Sequence, residues 1–486
     1  MRMIFLRCLK LSLWAVLSLT IFPHCQQETS GGKAGSLASD NPLETYVSTR
    51  DPVFDYQLVH QHDGKGYRYF VLRVTSQNWL TENEVDETTW WHWVSFVLPD
   101  KLSHTTSLMM ISGGSRNSGL PESPDKMLVE AALKTRSPAI KVHNIPFQPL
   151  TFKGDTVSGR TEDGLIAYGW RKFMENGARD EDAVWLARLP MTKAVMSAMD
   201  AVTDYTKEEL GLNLEAYVVA GGSKRGWTTW TTAAMDPRVV GMAPIVIDLL
   251  NIVPSFKHHW QAYGFWAPAV KDYEHEGIFD WMDTQEYQRL LEIVEPYSYL
   301  DHYTDMPKLL INASGDQFFL PDSWKFYWDD LKGEKHLAYI PNTGHSLDGS
   351  DAMQVLLGFY NRILNNEKRP EYSWEIKENR IEIKVDPENP PVGIKLWEAH
   401  NESARDFRID VLGPGWTSVD IPISANGNSY SIPITTPETG WKGHFVELTY
   451  GGGSPMKVTT GIKVLPETYD YEPFQPKSPK GTLLEK

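Results

Sequence analysis

Residues 217 to 230, YVVAGGSKRGWTTW, constrain the fold of this chain more than any other stretch. The apolar run Leu214 to Ala220 reads as a strand and stops at Gly221-Gly222. Lys224 to Met235 has helical spacing and is stopped by Asp236-Pro237. Only Ser223 stands between the glycines and the helix, so the chain must turn from strand to helix in one tight bend. Such a bend holds a serine hydroxyl clear of the backbone. Glycines relieve the crowding and permit unusual backbone angles. The following helix brings free N–H groups and a positive dipole end to the same spot. This is the nucleophile-elbow arrangement. Glycine–serine turns are common, however, so the rest of the chain must supply the partners.

The flanking sequence keeps the required rhythm. Phe54 to Gln61 and Tyr67 to Ser76 read as strands about a His62-to-Gly66 turn, Trp90 to Leu98 as a third, and Ser107 to Ser112 as a buried strand ending at Gly113-Gly114. Asp163 to Asn176 and Glu181 to Tyr205 have helical spacing, with a kink expected at Pro190. Strands follow at Val240 to Ile247, Pro307 to Ala313 and His336 to Ile340, with a helical stretch from about Asp322 and a closing helix Leu347 to Leu364. Alternating strands and helices of this kind build a mostly parallel sheet covered on both faces. Residues 249–304 break the rhythm with an aromatic-rich insert, KHHWQAYGFWAP then DTQEYQRLLEIVEPY, expected to form a cap over the strand ends. From Glu371 the chain becomes all-β. Short strands at Arg380 to Val385, Gly393 to Glu398, Arg405 to Val411, Ser418 to Ile423, Tyr430 to Ile434, His444 to Tyr450 and Val458 to Val464 predict an immunoglobulin-like β-sandwich over 371–467. The Pro/Lys-rich tail 468–486 is expected to be loose.

Composition narrows the function. The net charge of -16 argues against a nucleic-acid partner, which would need a basic surface. Arg2, Arg7 and Lys10 precede an apolar run, Leu11 to Phe22, too short to span a bilayer, so 1–24 reads as an export signal. The segment after it has two open readings. Cys25 is the lipidated first residue of a membrane-anchored lipoprotein with a tether over 25–41, or the signal is plainly secretory. Either way the protein is exported: periplasmic, on the outer membrane, or secreted. The two cysteines, Cys8 and Cys25, both lie in this leader, so the body has no disulfide and no thiol chemistry.

The triad partners appear in the order Ser, Asp, His expected of an α/β-hydrolase at 42–366. Pro307 to Ala313 runs into a loop with Asp316, and His336 to Ile340 into a loop with His345. Ser223 would attack, His345 would move its proton, and Asp316 would orient the imidazole. Asp248, past the strand after the elbow, is the rival acid; Asp316 is favoured by chain order. An oxyanion hole would take the N–H of Lys224 and a second donor from Gly114 or Ser115. A cation pair at a helix start opposes the dipole, so Lys224 and Arg225 call for nearby carboxylates or an acidic substrate. His259, Trp260, Phe265 and Trp266 are the candidate substrate-binding residues of the cap, with service as its hydrophobic underside the alternative for each. His60-x-His62 and Glu274-His275-Glu276 are short of a ligand set and read as surface side chains. No metal or cofactor is expected.

GGSKRGWTTWTTAAMDPRVVGMAPIVIDLLN, with ISGGSRN and NASGDQFFLPDS, resembles the PhoPQ-activated pathogenicity-related family, which includes the autocrine proliferation repressor type. The resemblance runs from Leu43 to about Asn366, extends to the β-domain, and implies an exported α/β-hydrolase-like fold without fixing a substrate. The pattern G-x-S-[KR]-x-G also resembles the elbow of glucuronoyl esterases, in which a cation after the nucleophile helps stabilise the oxyanion; the resemblance gives that role to Lys224. The expected activity is a serine esterase on carbohydrate-linked or other acyl esters. An aminopeptidase or dipeptidyl-peptidase-like enzyme, with Glu274 and Glu276 holding a substrate amine, is one alternative. A non-catalytic binding or signalling protein on a hydrolase scaffold is the other.

Overall fold

The computed structural model describes residues 41–423 and 427–485. The export signal 1–24, nearly all of the 25–41 tether and the Cys25 anchor therefore lie outside the described residues. Strands β1 (Asp55–Gly64), β2 (Tyr67–Asn78) and β3 (Thr89–Pro99) form an antiparallel meander. Six strands then run parallel: β4 (Ser107–Ile111), β5 (Ala139–Val142), β6 (Tyr217–Gly222), β7 (Val239–Ile245), β8 (Lys308–Ala313) and β9 (Lys335–Ile340), in the spatial order β5-β4-β6-β7-β8-β9. Their apolar runs are continuous because both faces are covered. Successive residues of β6 show it: Tyr217 and Val219 join one core, Val218 the other. The four-residue β5, AIKV, carries too little pattern to be read from sequence.

The chain enters through α1 (Pro42–Ser48), and the helices α2 (Lys126–Thr135), α3 (Glu162–Glu175), α4 (Arg188–Leu210) and α5 (Lys224–Met235) flank the sheet. The expected helix 181–205 is in fact two elements, a 3₁₀ turn at Asp180–Trp185 and then α4. Pro190 does not kink it. It is the third residue of α4, in the first turn, where a missing N–H leaves no bond unmade. The expected helix from Asp322 is only a 3₁₀ turn, Ser323–Phe326. The cap lies between β7 and β8 as α6 (Ile252–Tyr263), α7 (Lys271–His275) and α8 (Gln285–Val294) with short 3₁₀ turns. Helix α9 (Ala352–Leu364) closes the series against β8.

The C-terminal strands do form two layers, but not as a detached sandwich. Strands β10 (Tyr372–Lys377), β11 (Arg380–Val385) and β14 (Ser429–Pro433) make a small sheet; β12 (Gly393–Asn401), β13 (Thr417–Asp420), β15 (Trp441–Tyr450), β16 (Met456–Thr459) and β17 (Lys463–Leu465) extend the central one. The join is β16 against β9 at Thr459 and Leu337. One apolar cluster runs from Ile311 and Ile340 to Ile383 and Leu448, so the described residues share a single compact unit. Residues 405–411 are not a strand. Arg405 and Arg408 are buried in ion pairs with Asp322 and Asp406, and the chain makes one helical turn, α10 (Ile409–Leu412). Nor is the tail loose. Its aromatics dock on the cap: Phe474 meets Trp260 and Trp266, and Tyr469 Oη lies 2.8 Å from His258 Nδ1. Among the described residues no helix is long and apolar enough to cross a membrane.

Candidate active site

Ser223 sits at the bend with φ 60° and ψ -126°, a region that non-glycine residues avoid. Two glycines allow it. A Cβ on Gly221 would stand 2.7 Å from the Arg225 carbonyl oxygen, and one on Gly226 would stand 2.9 Å from the carbonyl oxygens of Gly221 and Ile245. Gly222 has no neighbour nearer than 3.9 Å. Strand and helix thus touch backbone to backbone across the serine. Lys224 opens α5, so its N–H is among those a helix leaves unpaired.

His345 and Asp316 meet. His345 Nδ1 lies 2.9 and 3.0 Å from the two carboxylate oxygens of Asp316. A carboxylate can only accept, so Nδ1 carries the hydrogen and Nε2 is the free base. That Nε2 is buried and has no hydrogen-bond partner among the described residues. Asp316 is itself fixed by the Phe318 N–H, 2.8 Å from Oδ1. The rival, Asp248, is spoken for elsewhere: Tyr327 and Tyr339 donate to its two oxygens. Burial outweighs those bonds and pushes its carboxyl up to about 7.

The cations flanking the serine have found their carboxylates. Lys224 Nζ lies 3.0 Å from both Glu162 and Asp163, at the start of α3. Arg225 grips Glu162 through both terminal nitrogens, at 2.7 and 2.6 Å, and donates to the Ile145 carbonyl. Burial opposes the Glu162 charge, but the Arg225 bonds and the two cations hold its carboxyl down to about 2. Gln148 Nε2 donates both to Glu162 and to the Gly114 carbonyl. Gly113 leaves room for the Arg225 guanidinium, which a Cβ there would strike. Arg225 is therefore a strut between the elbow and the Gly113–Ser115 loop. Ser115 turns its hydroxyl into that loop, accepting from the Asn117 N–H at 3.1 Å.

A narrow cavity of about 30 Å³ opens beside Ser223, walled by Trp170, Trp227, Phe256, Tyr273, Phe318 and Phe319, with Asp163, Lys224 and Arg188 also at its surface. The four cap residues expected to bind substrate are not in its wall. Trp266 stacks on Phe279 at 3.6 Å, and Trp260 packs on Phe474. His259 is buried, which pulls it down to about 3, and accepts from the Ala267 N–H. Phe265 is exposed, with Arg408 over its ring. These four build the underside and rim of the cap; Ile252 and Phe256, a turn apart on α6, reach the cavity instead. Phe318 and Phe319 had a signal, since they follow the acid closely. Glu162, Asp163 and Arg188 had none beyond an acidic pair at a helix start. Glu276 is held by Arg160 and Arg171, and Glu274 lines a different cavity. His60 and His62 lie 3.1 Å apart, and no group of three or more His, Cys, Asp or Glu side chains among the described residues is arranged to hold a metal.

Comparison with known proteins finds the sequence profile of the PhoPQ-activated pathogenicity-related protein matching residues 43–408. Autocrine proliferation repressor protein A of Dictyostelium discoideum is 37% identical over 460 residues, covering 88% of this chain and 91% of the relative. Among solved structures, an acetyl xylan esterase from Paenibacillus is 13% identical with TM-score 0.43, over 66% of this chain and 92% of its own. A glucuronoyl esterase from Solibacter usitatus is 11% identical with TM-score 0.41, over 66% and 88%.

Proposed function

We propose a chemistry for this chain, which belongs to the PhoPQ-activated pathogenicity-related protein family: it is an exported serine hydrolase that cleaves esters through Ser223, His345 and Asp316. The observation that carries the reading is the Asp316–His345 pair, with its free Nε2, in a fold that also strains Ser223 into the wall of a cavity. His345 Nε2 takes the Ser223 proton as Oγ attacks the ester carbonyl. The bond to the alcohol then breaks, and His345 protonates the leaving oxygen. Water attacks the acyl-serine by the same route in reverse. The Lys224 N–H and a donor from the Gly113–Ser115 loop stabilise the oxyanion. The Lys224 side chain, held between two carboxylates, tightens the elbow rather than reaching the oxyanion.

Ester rather than peptide cleavage is favoured by Glu276. A peptidase gripping a substrate amine needs free carboxylates, and Glu276 is already bound by two arginines. Carbohydrate-linked esters are the substrate class of this reading, encountered by the enzyme after export. A fluorophosphonate probe tests it: labelling of the wild type and none of Ser223→Ala is expected. Well-folded wild type that stays unlabelled would instead mark a binding or signalling protein on a hydrolase scaffold. Acetyl, glucuronoyl and aminoacyl substrates then separate the ester and peptidase readings.

A further inference from the structure

Arg188 is the cavity-lining cation with which no carboxylate forms an ion pair among the described residues. It stands in the first turn of α4 and is 2% exposed. Its Nη1 donates to the Lys224 carbonyl at 2.7 Å, and its guanidinium lies 4.4 Å over the Trp227 ring. Its Nε has no hydrogen-bond partner. Asp163, the acid at the cavity surface, is already 3.0 Å from Lys224 Nζ, and Tyr273 Oη donates to it as well. The charged groups in the cavity wall thus sum to one surplus positive charge, beside the nucleophile of a protein whose net charge is -16. Burial outweighs Tyr273 and the charge of Asp163, which favour the Arg188 cation, and a chain that needed only to anchor the Lys224 carbonyl could do so with a neutral donor.

On the reading that Ser223 is the nucleophile, we propose that this cavity is an acyl pocket selecting short acyl groups that end in a carboxylate, which sits on Arg188. The substrates are half-esters of small dicarboxylic acids, such as malonyl esters. Hydrolysis joins Ser223 Oγ to the ester carbon and releases the alcohol. Water then frees the serine, and the products are the alcohol, the dicarboxylate and one proton. The cavity is small, about 30 Å³, and aromatic-walled, which excludes long acyl chains. Its aromatic walls strip water from the carboxylate and leave the guanidinium as its partner.

The test measures binding apart from catalysis. Ser223→Ala protein is titrated by calorimetry with monomethyl malonate and with methyl 3-methylbutanoate, in which an isopropyl group stands for the carboxylate. At least tenfold tighter binding of the malonate half-ester is expected. The preference should collapse to near unity in Ser223→Ala/Arg188→Met and survive in part in Ser223→Ala/Arg188→Lys, where a cation remains. Equal binding of the two esters, or no binding of either, overturns the proposal without any Arg188 variant being needed. Probe labelling of the wild type reports separately on Ser223. A charge-selective but unlabelled protein would keep the anion pocket and discard the serine-hydrolase reading; a labelled but unselective one would do the reverse.

Discussion

Replacing Asp316 by Asn should almost abolish turnover, and the structure says how. Asp316 Oδ1 accepts the Phe318 N–H at 2.8 Å. In the amide, the remaining oxygen keeps that bond, which puts the new NH₂ group where Oδ2 stands, 2.9 Å from His345 Nδ1. An NH₂ can only donate, and the oxygen 3.0 Å from Nδ1 is already taken by Phe318, so the tautomer with the hydrogen on Nε2 is favoured. The imidazole then presents a proton, not a lone pair, to Ser223. A base in the wrong tautomer costs about 10⁴-fold in kcat, or about 5 kcal/mol of barrier. Asp248→Asn is the control. Its carboxyl is pushed up to about 7 by burial and is largely neutral below that pH. An amide replaces it with little electrostatic change, so activity should stay within about threefold. The assay is kcat/KM on 4-nitrophenyl acetate with the rate of fluorophosphonate labelling, on variants whose circular dichroism matches the wild type. Loss in Asp248→Asn with activity kept in Asp316→Asn would refute the assignment of the acid.

The same geometry sets three further outcomes. Gly226→Ala drives a Cβ to 2.9 Å from two carbonyl oxygens and should destabilise by about 2 kcal/mol in urea unfolding, whereas Gly222→Ala, with open space, should be neutral. Glu162 is held down to about 2 from an ordinary 4.5, so its contribution to stability is present above about pH 4.5 and is lost as pH falls through 2. Glu162→Gln should lower Tm at pH 6 and flatten the fall in Tm below pH 4.5; an unchanged acid limb would deny the cluster its role. Deleting 468–486 removes the Phe474 contacts and the Tyr469–His258 bond. That should cost roughly 2–3 kcal/mol and open the 249–304 cap to limited proteolysis before the rest of the chain.

The elbow and the acid–base pair were legible because each is a local event: an apolar strand, a turn and one chemical group at its end. Helix α5 begins and ends where Ser223 and Asp236-Pro237 say it should. What sequence could not give were contacts made across the fold. Arg188 and Lys224 are 36 positions apart, and Arg225 and Glu162 are 63 apart. The cap aromatics misled for a related reason. Composition pointed to an aromatic insert at 249–304, but which ring faces Ser223 depends on rotation of α6, and Phe256 reaches the cavity while Trp260 turns to the tail. The expected strand at 405–411 failed because alternation was read where buried charge was the cause.

Buried contacts of that distant kind also hold His345, the proposed base. A parallel sheet ending at β9 would leave an open edge next to the loop that carries His345, and open edges are liabilities. Strand β16 closes it with little backbone pairing, at Thr459 and Leu337, but the Thr459 hydroxyl adds a bond by accepting the Tyr339 N–H at 3.1 Å. Beyond the strand, Asn342 exchanges hydrogen bonds of 2.8 Å with the backbone of Trp416. Ile409 donates its N–H to the Gly315 carbonyl at 2.9 Å, and its side chain fills the space a Cβ on Gly344 would need. Gly315 precedes the acid and Gly344 precedes the base, so α10 braces both loops at once. The C-terminal strands are therefore part of the machinery that positions Asp316 and His345, and the site belongs to the whole core rather than to residues 42–366 alone.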